Sequence, residues 1–296
     1  MPKRTIAVMG ATGHIGTALT EALLSKSHEV RALGRDARKL GGLTAKGAKA
    51  KSGVFTDPAV LADAFAGADA AFVMIPPSYG EADFGAYQDR QADAIIKALQ
   101  KSGVRKVVTL SSVGAHQADG TGPIKGLHRM EKRFGQSGGP DVVHLRPSYF
   151  MENHFFSIPT IKSMGVSGSP LKPDLSMGQI ATKDIARKAA ELLDRADFRG
   201  TSVVELAGPR DLTMAQVTPV LGRAIGKPDL SYVQFPYPDA EKALAGMGMP
   251  PATAALMVEM YRGMNEGIVV PQTPAQRTTT TLEEFATQVF APAFRA

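Results

Sequence analysis

Short apolar, β-branched runs alternate through the first half of the chain with stretches whose apolar positions recur at helical spacing. Thr5-Ile6-Ala7-Val8-Met9 reads as a buried strand, and Ile15, Leu19, Ala22 and Leu23 then fall on one face of a helix. Further strands are predicted at Glu29–Leu33, near Ala48–Lys51, and at Ala70–Ile75, Val104–Leu110 and Asp141–Leu145. Helices are predicted after Asp57-Pro58, from about Gly85 to Lys101 and from about Ile124 to Gln136. Such alternation predicts an α/β fold, a doubly wound parallel sheet with helices on both faces and strand order 3-2-1-4-5-6. Beyond Phe150 the pattern loosens into a helix near Glu152–Lys162, a Gly/Ser/Pro-rich stretch from Gly165 to Gly178, a helix opening at Thr182 and a strand at Ser202–Leu206. The remainder reads as helices with proline-rich joints. The expected division is a dinucleotide-binding domain over residues 1–150 and a smaller, mostly helical C-terminal cap over 151–296, interleaved with the last sheet elements at about 180–207.

What joins the first strand to the first helix gives the pattern a chemistry. Gly10-Ala11-Thr12-Gly13-His14-Ile15-Gly16 spaces glycine at every third position. In a Rossmann-type site the first glycine makes the sharp turn, the second admits a pyrophosphate to the backbone, and the third lets helix pack on strand. The free N–H groups at the helix start then face the phosphate charge. Thr12, His14 and Ile15 join the three glycines as expected cofactor contacts. The second strand ends Leu33-Gly34-Arg35, and no acid precedes Asp36. An NAD site usually carries a carboxylate here for the ribose 2′-hydroxyl. Arg35 instead suits a 2′-phosphate, which points to NADP(H), with Arg31 as a helper. Val54 and Phe55 are expected near the adenine, and Thr56 is a further expected cofactor contact. Ile75, Pro76, Pro77 and Ser111 stand at strand carboxyl ends, where a doubly wound sheet holds its ligand.

Composition narrows the picture. The chain has 296 residues, of which 44% are apolar and 21% charged, as in an ordinary soluble protein. Its formal charge of +6 is scattered apart from the run Arg31, Arg35, Arg38 and Lys39, which suits an anionic cofactor. No basic recognition helix stands out, so no nucleic-acid partner is expected. Cysteine is absent, which excludes disulfides and thiolate chemistry. The six histidines lack paired metal-ligand spacing, and no metal is expected. No apolar stretch is long enough for a signal peptide or a membrane span, so a cytoplasmic protein without a membrane partner is expected.

These residues resemble the NmrA-like branch of the atypical short-chain dehydrogenases/reductases. The likeness runs through the glycine loop, Arg31-Ala32-Leu33-Gly34-Arg35-Asp36, Asp57-Pro58, Ser111-Ser112-Val113-Gly114, Leu145 to Asn153, Ile180 to Ala186 and Thr279 to Phe285. It implies a Rossmann fold with an NADP(H) cofactor. The group includes NADPH-dependent quinone reductases and azoreductases, and also redox-sensing regulators that bind the dinucleotide without turning it over. Val54 stands where many members carry an acid near the adenine. Typical dehydrogenases of the superfamily use a tyrosine with a lysine four residues on, and none of the six tyrosines here has that partner. Alcohol oxidation and sugar epimerisation by the usual route are therefore not expected.

Reduction of a quinone or azo compound asks less of the protein: a nicotinamide supplies the hydride, and the site must align a flat electron-poor acceptor with it. The candidate proton donors are His128, whose imidazole titrates near neutrality, then Lys125 and Tyr149. His144, inside a strand, reads as a satisfied sheet residue. Ser111 and Ser112 lack a nucleophile-elbow context and are expected to hydrogen-bond the nicotinamide ribose or the substrate. Met257, Met260, Tyr261 and Met264 form a helical stripe that suits plain core, a homodimer contact or an adaptable aromatic pocket. The expectation is an NAD(P)H-dependent oxidoreductase acting on a small aromatic or conjugated acceptor. A non-catalytic NADP(H) sensor acting through a protein partner is the alternative.

Overall fold

The computed structural model describes residues 2–136 and 138–296. Its first half alternates as β1 (Thr5–Met9), α1 (His14–Ser25), β2 (Glu29–Gly34), α2 (Gly41–Thr44), β3 (Lys49–Ser52), α3 (Pro58–Phe65), β4 (Ala70–Val73), α4 (Phe84–Ser102), β5 (Lys106–Leu110), α5 (Ile124–Gln136) and β6 (Asp141–Pro147). The second half continues with β7 (Tyr149–Phe150), α6 (Ile158–Met164), β8 (Val166–Ser169), β9 (Met177–Ile180), α7 (Thr182–Arg195), β10 (Thr201–Ala207), β11 (Asp211–Leu212) and α8 (Met214–Ala224). It closes with β12 (Ser231–Gln234), α9 (Tyr237–Gly246), α10 (Pro251–Asn265), β13 (Gln276–Arg277), α11 (Leu282–Phe285) and α12 (Ala291–Arg295).

The main sheet runs β13-β10-β6-β5-β4-β1-β2-β3, and the pairings within it are parallel. This is the expected 3-2-1-4-5-6 order with two strands added beyond β6. Alternate side chains of each strand serve opposite faces. Ile6 and Val8 pack with Leu19, Leu23, Ile185 and Ala189 of α1 and α7, whereas Ala7 and Met9 pack with Phe65, Ile95 and Leu99 of α3 and α4. Both faces are thus covered, as a parallel sheet requires. The smaller elements build the rest: a three-stranded sheet β11-β9-β7, the pair β12-β8, and an apolar cluster around Val217, Leu221, Phe285 and Phe290.

Three local readings need correction. The helix expected near Glu152–Lys162 is a 3-10 turn over Met151–Ser157 followed by α6, because Pro159 lacks an N–H and is accepted only in a first turn. The Gly/Ser-rich stretch from Gly165 to Gly178 contains β8 and the start of β9 rather than plain loop. Strand β4 ends at Val73, two residues before Ile75, so Ile75 belongs to the turn above the sheet.

Candidate cofactor crevice and acceptor cavity

The strand order reverses between β1 and β4, so the loops that follow these strands part there and leave a crevice. Gly10 turns the chain with φ +71°, and a Cβ at this position would stand 2.6 Å from Met74 Sδ of the facing loop. Gly16 packs so closely that a Cβ there would lie 2.1 Å from the Gly10 carbonyl oxygen. The Gly13 N–H donates to the Gly10 carbonyl (3.0 Å) and the Thr17 hydroxyl to the Ala11 carbonyl (2.9 Å), which fixes the loop. Gly13 caps α1 with extended backbone and no side-chain bond, and Thr12, Gly13 and His14 are exposed. The first N–H groups of α1 therefore open on the crevice, where an anion is favoured.

Arg35 is exposed beside this loop and makes no hydrogen bond or ion pair among the described residues. Asp36, the first acid after β2, is spent locally. It accepts from the Arg38 backbone N–H (3.0 Å) and guanidinium (2.9 and 3.1 Å), and Arg38 holds its carboxyl below the usual carboxylate range. Arg31, read as a helper to Arg35, is committed elsewhere: its guanidinium donates to the carbonyls of Ala64 (3.2 Å) and Ala66 (2.6 Å) at the end of α3. Asp57 caps α3 and accepts from the Ala59 N–H at 2.8 Å. Thr56 stays exposed. Of the neighbouring apolar pair, Phe55 is a core residue at 5% exposure, while Val54 at 65% is the one turned to solvent. Ile75 and Pro76 are buried, Pro77 is exposed, and the Tyr87 hydroxyl holds the Pro76 carbonyl at 2.8 Å.

Beneath the far side of the crevice lies a buried polar network. Ser111 Oγ donates to Glu131 Oε1 (2.5 Å), and Glu131 takes two bonds from Arg146, at 2.5 and 3.0 Å. Arg146 Nη1 also reaches Gln272 Oε1 (2.9 Å) and Glu205 Oε1 (3.4 Å). Burial alone would push the Glu131 carboxyl up, but bonds from Arg146 and Ser111 and the neighbouring His144 hold it below its ordinary value. Glu205 goes the other way: burial pushes its carboxyl up, and Oε2 has no partner among the described residues. One guanidinium thus serves two carboxyl groups, and the proton stays with Glu205 more readily than with Glu131. His144, expected to be satisfied, is so on one side only. Nδ1 meets Thr109 Oγ1 at 2.7 Å, whereas Nε2 is buried without a partner among the described residues.

The three proton-donor candidates fall in different settings. His128 is half-buried on α5 with Nδ1 against the Ala115 carbonyl at 2.9 Å. A carbonyl only accepts, so the proton sits on Nδ1 and Nε2 is left for a ligand. Lys125 is bound by both oxygens of Glu259, each at 2.9 Å, and ties α5 to α10. Tyr149 is 9% exposed, burial pushes its phenol well above the ordinary value, and its hydroxyl makes no hydrogen bond among the described residues. Tyr149 and Val113, which follow β6 and β5, line a cavity of about 480 Å³ with Met177, Met264 and Val269. The methionine stripe contributes here: Met260, Tyr261 and Met264 pack in the cluster that holds Tyr149. Among the described residues no group of His, Asp or Glu side chains could hold a metal ion, and no helix is long and apolar enough to cross a membrane.

Glu131, Arg146, Glu205 and Gln272 escaped the sequence reading. A signal was present. Arg146 and Glu205 each interrupt a run that otherwise reads as buried strand, and buried opposite charges need each other.

Comparison with known proteins agrees with this architecture. Residues 2–286 match the model of the NmrA-like family. An NAD(P)H azoreductase from Xenophilus azovorans is 29% identical over 256 residues, covering 86% of both chains. An NADPH-dependent quinone oxidoreductase from Escherichia coli, solved with NADPH, superposes with a TM-score of 0.80 at 25% identity over 96% of this chain and 99% of its own. The negative transcriptional regulator NmrA, solved with NADP, shares the fold with a TM-score of 0.74 at 17% identity over 100% of this chain and 98% of its own. The glycine loop, the sheet order and a match over nearly the whole length place this chain in the NmrA-like family.

Proposed function

We propose that this protein is an NADPH-dependent reductase that transfers a hydride to a small electron-poor acceptor such as a quinone, an azo compound or an activated double bond. The observation that carries this reading is a glycine-loop crevice with an arginine at its rim that makes no bond among the described residues, together with a cavity beyond β5 and β6 in whose lining Tyr149, Met177 and Met264 join Asp211 and Arg277. The azoreductase and quinone reductase relatives support it.

In this reading the amides of the Gly10–Gly16 loop, with Thr12, His14 and Ile15, hold the pyrophosphate, and Arg35 holds the 2′-phosphate. Phe55, Thr56, Ile75, Pro76 and Pro77 border the adenosine half, and Ser111 meets the nicotinamide ribose. Because Ser111 Oγ already donates to Glu131, it offers its lone pairs to a ligand hydroxyl. The bound nicotinamide supplies the hydride. The cavity wall aligns a flat acceptor by apolar contact, and its adaptable thioethers suit more than one aromatic shape. Tyr149 holds its proton tightly, so it serves as a hydrogen-bond donor to the acceptor's oxygen or nitrogen. His128, once charged, is the proton source. Lys125, neutralised by Glu259, ranks last of the three.

The rival reading is a dinucleotide sensor without turnover, and the absent Tyr/Lys pair favours it. Mixing the protein with NADPH and a panel of quinones, azo dyes and enones separates the two. Loss of the reduced-nicotinamide absorbance with one class, dependent on protein, is the expected result. Saturable NADPH binding with no consumption across the panel would make the sensor the better account.

A further inference from the structure

The acceptor cavity is roofed by an exposed strap, and the strap is tied down at one residue. Residues 270–274 are exposed, and Val270, Pro271, Gln272, Thr273 and Pro274 all line the cavity. From Pro271 to Pro274 the hydrogen bonds among the described residues are those of Gln272. Its backbone N–H donates to Glu205 Oε1 at 3.2 Å, and its side-chain Oε1 accepts from Arg146 Nη1 at 2.9 Å. Both partners are buried, with side chains 1% and 5% exposed, and they lie in the sheet on β10 and β6. The strap is anchored behind by Val269, which packs where a Gly114 Cβ would meet its side chain at 3.1 Å, and ahead by β13 on β10. Between these anchors, two prolines stiffen the chain but supply no N–H.

We infer that Gln272 is a positioning residue for the acceptor: it latches the 270–274 strap onto the Arg146–Glu205 pair and so sets the roof of the cavity. This rests on the reading of that cavity as the acceptor site. The latch closes on the same guanidinium that holds Glu131, which in turn orients Ser111 at the cofactor crevice. The acceptor roof and the cofactor floor therefore take their positions from one buried arginine. A hydrogen bond to a charged group is among the stronger ones, so its removal is felt in the strap before the core.

The test is Gln272→Ala, with Thr273→Ala as a neighbour that keeps the latch, read by steady-state kinetics, NADPH titration and limited proteolysis. Gln272→Ala is expected to raise KM for the acceptor about tenfold, with a much smaller change in kcat and an NADPH Kd within about twofold of the wild type. Cleavage within residues 267–277 should become faster in Gln272→Ala than in Thr273→Ala. Unchanged acceptor KM would overturn the assignment, as would equal weakening of acceptor and NADPH, which marks a general loss of structure. If the wild type consumes no NADPH with any acceptor, the proposed reaction fails on its own. The strap is then judged by proteolysis alone, and equal cleavage of the two variants would overturn the latch.

Discussion

Single side chains here are decided by what burial leaves them. His154 is enclosed, with Nε2 against Gln179 Oε1 at 2.8 Å and its ring 5.7 Å from that of Tyr149. An amide oxygen accepts, so Nε2 carries the proton of a neutral ring. Burial lowers the imidazole from 6.5 to about 4 against the pull of Gln179. Since the folded-state value lies below the unfolded one, the unfolded chain binds the extra proton. Stability is whole above pH 6.5 and drains away as pH falls towards 4, by roughly 3 kcal/mol at 1.36 kcal/mol per pKa unit. Denaturant midpoints of wild type and His154→Gln, measured from pH 7 to 4, should converge as the wild type alone loses this amount. Parallel curves would mean that His154 is charged in the fold. None of this is legible in the sequence. His154 sits in a run, Glu152-Asn153-His154-Phe155, that looks half exposed, and only the return of β9 with Gln179 closes over it.

At the scale of elements, the sequence was legible wherever local chemistry decides the outcome. Alternating apolar runs marked β1 to β6, Asp57-Pro58 marked the start of α3, and the helix expected to about Lys101 ends at Ser102, where Gly103 takes φ +73°. Strands β8 and β9 were hidden because each carries a glycine that makes room for a residue from elsewhere. A Cβ on Gly168 would stand 2.3 Å from the Phe235 ring, and one on Gly178 would lie 2.7 Å from Ser148 Oγ. Those partners are distant in sequence, so no local rule distinguishes such glycines from loop glycines. The glycine loop is the opposite case, since motif and structure give the same account of Gly16. Gly16→Ala has no space to relax into, because the clash is with the backbone of Gly10 and Ala11. Overpacking of this kind should cost about 1–3 kcal/mol of stability, read as a lower thermal midpoint. Dinucleotide affinity should fall with it, because the loop must shift. An unchanged midpoint and affinity would show that the loop and α1 part easily.

For the molecule as a whole, the order of the sheet turns local motifs into a site. Placing β4 beside β1 sets Met74 against Gly10, and placing β10 beside β6 brings Glu205 to Arg146. The second pairing left only a hint in the sequence, one charge in each strand run. Arg146 finds Glu131 of α5 15 residues away, Glu205 59 away and Gln272 126 away, and the added strands β10 and β13 bring in the last two. The cofactor end depended less on such distant joins. Arg35 follows directly from β2 and has no partner among the described residues, while Asp36 is claimed by Arg38. Calorimetric titration of wild type and Arg35→Ala with NADPH and with NADH tests directly whether this crevice takes a 2′-phosphorylated dinucleotide. The substitution should weaken NADPH by about tenfold or more and leave NADH nearly unchanged, since only the former carries the phosphate that Arg35 would meet. Equal weakening of both, or no binding of either by the wild type, would contradict this reading.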